Sequence, residues 1–127
     1  MRSIWLIRAA IALVWLYQGL WCKLMGRAPH HEAVIASVPF LNAEQAHAAL
    51  FGLGGLECFI AIWVLCGRWA YGAALVQSVL LAIMNAAGVF WASAIIPDPL
   101  GMLFQNFAFL VLAWIAAGEV HPHAAHA

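Results

Sequence analysis

Val14-Trp15-Leu16-Tyr17-Gln18-Gly19-Leu20-Trp21-Cys22-Lys23-Leu24 closes the first long apolar run of the sequence, yet it holds a glutamine, a glycine and a lysine. A lipid-facing helix would carry Leu or Val at those positions. Polar and charged groups at membrane depth face the interior of a bundle and pair there. The stretch therefore reads as the inner wall of a membrane-embedded helix bundle. The rest of the chain agrees: of 127 residues, 67% are hydrophobic and only 8% charged. A soluble domain carries roughly 25% charged residues to keep its surface in water. This chain has too few, and it is expected to be an integral membrane protein.

The zero net charge and scattered basic residues offer no basic patch, which excludes nucleic acid as a partner. Cys22, Cys58 and Cys66 lack CxxC spacing and read as small packing residues. The run from Ile4 to Trp21 is too long for the core of a secretory signal. About 20 apolar residues cross a bilayer as a helix. By that measure the spans fall at about 4–24, 48–66, 69–91 and 102–118, forming a single domain 1–118 with a flexible tail 119–127. The expected class is all-α: an integral membrane four-helix bundle with a short amphipathic segment, within Gly26–His47, between helices 1 and 2. Arg8, about one turn inside, is expected to reach back to the head groups. Arg2, Arg8 and Arg68 on one side, against Lys23 and Arg27 on the other, favour termini in the cytoplasm.

A rise of roughly 1.5 Å per residue sets the depth of each polar residue below the face carrying the long connectors. Lys23 lies near that face, Gln18 roughly 10 Å down, Glu57 roughly 13–16 Å, Asn85 roughly 9 Å, and Gln105 and Asn106 roughly 5–7 Å. Every span thus places a polar side chain in the same half of the bilayer. Gln77 and Ser78 fall in the other half. Glu57 shares its stripe with Gly54 and Ala61, and Lys23 shares its stripe with Gly19, as on the small-residue faces where membrane helices meet.

An acid near mid-membrane costs on the order of 3 kcal/mol unless it is neutral or paired. Lys23 is the cation placed to reach Glu57. Gln18 and Lys23, five residues apart, do not share a face of an α-helix. Two readings stay open for this cluster. One is a polar clasp that fixes helix packing; the other is a pocket for a quinone or another lipid-like ligand. His30 and His31 sit beside the expected mouth, where a near-neutral pKa suits proton transfer or binding of a ring carbonyl. His121, His123 and His126 are a weak metal candidate, with only Glu119 nearby. No GxSxG, HExxH, phosphate-loop or dinucleotide fingerprint is present.

Arg8, the run Val14 to Leu24, Pro29-His30-His31, and Gly55-Leu56-Glu57 together resemble the DoxX-like family of small four-helix membrane proteins. Met84-Asn85 and Gln105-Asn106-Phe107 are compatible with that resemblance. It implies a membrane protein in contact with lipid. Some relatives in the wider group are subunits linked to quinone-coupled oxidation, including thiosulfate oxidation, and others belong to membrane redox-stress assemblies. The implied role is at most a non-catalytic or quinone-linked subunit of an oxidoreductase. Its partners would be a quinone or lipid ligand, a redox partner protein or a second copy of the chain. A paired-cysteine redox motif is absent from the sequence.

Overall fold

The computed structural model describes residues 2–27 and 29–120, and the tail histidines lie outside them. Helix α1 (Arg2–Leu16) continues without a break into a π-helical segment, Tyr17–Leu24, followed by the short α2 (Pro29–Ala36). The remaining helices are α3 (Ala43–Cys66), α4 (Ala70–Ala92) and α5 (Pro99–Val120). No described residue is in a strand. Four helices are long and apolar enough to cross a membrane: 4–24, 43–66, 70–92 and 99–118. At most a third of each is buried inside the protein. The rest is a coat of Leu, Ile, Val and Phe side chains directed at lipid.

Both α3 and α5 begin ahead of their apolar runs, because capping side chains rather than hydrophobicity set those ends. Asn42 Oδ1 accepts from the Gln45 amide at 2.8 Å while Gln45 Oε1 accepts from the Asn42 amide at 3.0 Å. That reciprocal pair starts the helix at Ala43. Asp98 Oδ1 likewise accepts from the Gly101 amide at 3.0 Å, and Pro99 takes the first helical position, where its missing N–H costs nothing. The short turn after α3 depends on Gly67, whose φ of +72° is the left-handed conformation that ends helices.

The bundle is two tight pairs joined along one seam. The α1–π helix packs on α3, α4 packs on α5, and α1 meets α5. The π segment packs on α3 and α2 but, among the described residues, not on α4 or α5. Helix α2 spans the difference, touching α3, α4 and the π segment. The Glu32–His47 contact at 2.6 Å ties α2 to α3, and the edge-on Phe40–Trp91 rings tie the following loop to the end of α4. The shared core holds Ile11, Trp15, Ile60, Val64, Leu80 and Leu81.

Hydrocarbon competes for no hydrogen bonds, so buried polar side chains act as clasps between membrane helices. Trp15 Nε1 donates to Gln77 Oε1 at 2.8 Å, linking α1 to α4 across the bundle, and Gln77 Nε2 is held by the Ala73 carbonyl. Within the α4–α5 pair, Trp114 Nε1 donates to Ser78 Oγ at 2.9 Å. Gln77→Leu is expected to cost about 1 kcal/mol, the usual worth of such a bond in a membrane. It should also shift the Trp15 indole N–H resonance. Unfolding in dodecyl sulfate together with NMR in micelles checks both.

Arg8 departs from the sequence reading. It is only 7% exposed, and instead of reaching the head groups it turns inward. Its Nε donates to the Val64 carbonyl at 3.1 Å and its Nη2 to the Leu65 carbonyl. These carbonyls end α3 with no intrahelical partner, and they carry the negative end of the helix dipole. A Cβ at Gly67 would fall on the Arg8 guanidinium, so the glycine makes room for the arginine as well as for the turn.

Candidate functional site

The site grows from one close approach. A Cβ built on Gly19 would stand 2.6 Å from the Gly54 carbonyl oxygen and 2.9 Å from Glu57 Cβ. Only glycine lets the backbones of the π segment and α3 come that near. At this contact Glu57 and Lys23 turn toward each other, 0% and 1% exposed. The Lys23 ammonium lies 2.9 Å from Glu57 Oε1 and 3.1 Å from Oε2, and 3.4 Å from the Gln18 carbonyl oxygen.

The π-helical backbone makes the third contact available. Its hydrogen bonds reach five residues along the chain rather than four. The same spacing persists at the end of the segment, where the Met25 amide donates to the Leu20 carbonyl at 2.8 Å. Residues 18 and 23, on different faces of an α-helix, thereby come into register, correcting the reading from the sequence. π-Helical turns are rare and frequent at functional sites; this one runs for eight residues.

The two carboxylate oxygens differ. The ammonium directs a hydrogen bond at Oε2, whereas Oε1, though slightly nearer, receives none. Oε1 is the one buried side-chain polar atom among the described residues without a hydrogen bond. The pair therefore has electrostatic closure, and Oε1, in contact with the ammonium but facing no aligned donor, keeps acceptor capacity. A buried charge near mid-membrane is tolerable only because its counter-ion is at contact distance.

Of the other predicted residues, Gln18 reaches this pair through its backbone carbonyl. Asn85 and Asn106 make their own clasp between α4 and α5, Asn106 Nδ2 donating to Asn85 Oδ1 at 2.6 Å. Gln105 is exposed, and Gln18 is half-buried. His31 is half-buried on α2, and His30 lies on the same short helix. The sequence reading missed the partners of Arg8 and Gln77. Gly67, at the end of α3, was the available signal for the Arg8 contact.

All three cysteines are free. Among the described residues no three His, Cys, Asp or Glu side chains gather closely enough to hold a metal ion. A cleft of about 20 Å³ between Arg8, Trp63, Gln77 and Ala113 has room for one water.

With this geometry in place, the match to known proteins is informative. The model of the DoxX-like family aligns with residues 12–114, from α1 through most of α5, and so includes Lys23, Glu57, Asn85 and Asn106. The chain belongs to the DoxX-like family. No curated protein and no solved structure matches it. This DoxX-like chain is thus an all-α integral membrane protein whose most deeply buried ionisable groups, Lys23 and Glu57, lie within the family match. Chemically, such a pair offers an ammonium donor beside a carboxylate acceptor. That combination suits a ring bearing carbonyl or hydroxyl oxygens.

Proposed function

We propose that this protein is the membrane subunit of a quinone-linked redox assembly, and that Lys23 and Glu57 receive the head group of a quinone or similar lipid-like ligand. The supporting observation is the acceptor capacity left on Glu57 Oε1 beside the Lys23 ammonium. A quinol hydroxyl donates to Oε1, and a quinone carbonyl accepts from the ammonium. The route for the head group in this reading lies on the side of the π segment that α3 and α2 leave uncovered, since that segment does not pack on α4 or α5 among the described residues. In this reading the protein holds the ligand, and a partner protein carries the electrons. We place the unit in a bacterial inner membrane with its termini in the cytoplasm, on the side of Arg2, Arg8 and Arg68.

The test is titration of the full chain in nanodiscs with a short-chain ubiquinone and a short-chain menaquinone, followed by tryptophan quenching. Saturable binding is expected. Glu57→Gln should weaken it about tenfold or more, the loss of a hydrogen bond to a charged group, with the helical circular dichroism retained. Binding that is absent, or equal in the variant, overturns the proposal. A second reading then stands, favoured by the complete burial of both groups and the Gly19–Gly54 contact: a structural or assembly protein whose ion pair only fixes the helices.

A further inference from the structure

At the opposite end of the bundle the turn between α3 and α4 forms a shallow, open concavity lined by Trp63, Arg68 and Trp69. Its parts are held in place. Trp63 Nε1 donates to the Arg68 carbonyl at 2.7 Å, which pins the first indole. Behind it is Gly72, where a Cβ would stand 3.6 Å from the Trp63 ring, so the residue there is small enough to leave the ring its place. Trp69 is the one non-glycine residue with positive φ (+51°) among the described residues, and this backbone leaves its indole 82% exposed.

Arg68 is exposed and has no carboxylate partner among the described residues, and Arg8 places a second guanidinium under the same turn. Glu57 is paired within the span, Glu32, Glu44 and Asp98 belong to the end carrying α2, and Glu119 lies in the last turn of α5. Below the concavity the wall continues as hydrocarbon, with the Phe59 ring tilted against Trp63 one turn deeper, 5.8 Å between centroids.

We propose that this turn is a binding site for the phosphate of an anionic phospholipid. The Arg68 fork takes the phosphate oxygens, the two indoles lie at the level where head group meets acyl chain, and one acyl chain follows Trp63 and Phe59 into the membrane. A zwitterionic lipid fits less well, because its ammonium would add a like charge beside the exposed Arg68 guanidinium. The site is independent of the Lys23–Glu57 pair.

Native mass spectrometry of the full chain, released from micelles doped equally with phosphatidylglycerol and phosphatidylcholine, tests the assignment. One phosphatidylglycerol should be retained in preference to phosphatidylcholine, and Arg68→Gln should reduce that preference about fivefold, the effect of one basic residue at an anionic surface. Arg27→Gln, at the other end, should leave it unchanged. Excess inorganic phosphate should not displace the lipid. Equal retention of the two lipids, indifference to Arg68→Gln, or displacement by inorganic phosphate each overturns the proposal, the last by identifying a free anion as the ligand. Arg68 is exposed and its side chain bonds to nothing among the described residues, so the variant is expected to fold.

Discussion

Lys23→Met is expected to lower the stability of the bundle by about 3–5 kcal/mol, the cost of removing one partner from a buried ion pair. Methionine fills the space of the lysine stem, so the loss measures charge rather than volume. What remains is a carboxylate near mid-membrane with no counter-ion, which by itself costs on the order of 3 kcal/mol. Glu57→Leu should be similarly damaging, because it strands the ammonium. The double variant Lys23→Met/Glu57→Leu should recover most of the loss, since an apolar pair at this depth needs no desolvation. Unfolding in mixed micelles, read by circular dichroism as a double-mutant cycle, provides the numbers. A cost below about 1 kcal/mol for Lys23→Met would place the pair among weakly coupled surface bridges, contrary to its complete burial.

The second large effect is steric. Gly19→Ala sets a methyl group against the Gly54 carbonyl oxygen and Glu57 Cβ, at 2.6 and 2.9 Å, and neither neighbour has a flexible end that swings away. Forcing the helices apart costs about 1–3 kcal/mol, and Gly19→Leu should prevent the wild-type packing altogether. The separation acts twice, because it also draws Lys23 away from Glu57. Gly52 and Gly55 are the natural controls: a Cβ at either meets nothing within 4 Å. Alanine there should be neutral or stabilising by up to about 1 kcal/mol, through helix propensity. Retained folding of Gly19→Leu, measured in the same micelles, would contradict the close approach.

The fold was legible in the sequence because a chain with so few charges has only one solvent available, and helices satisfy their own backbones there. The pairing of Lys23 with Glu57 was legible for a related reason: a deep charge has to find its opposite, and few candidates exist. The wide turn was not. Placing residues at a constant rise and period assumes an α-helix throughout, and nothing in Tyr17–Leu24 marks a change in the hydrogen-bond span. Gln18 and Lys23 therefore fell on separate faces in the sequence reading. Arg8 was hidden by its own length, since a long side chain one turn from an interface reaches outward or inward equally well. The carbonyls that attracted it belong to a helix end more than fifty residues further along the sequence. Gln105 and Asn106 show the limit of depth alone. Adjacent residues share a depth but not a direction, and Asn106 rather than Gln105 meets Asn85.

The wide turn before Met25 also makes the length of the first span a functional quantity. Removing one residue between Tyr17 and Lys23 while the segment keeps its wide winding would rotate everything beyond the cut by roughly a quarter turn. The ammonium would then leave its counter-ion even though every side chain at the contact was still encoded. In this segment, electrostatics depends on spacing.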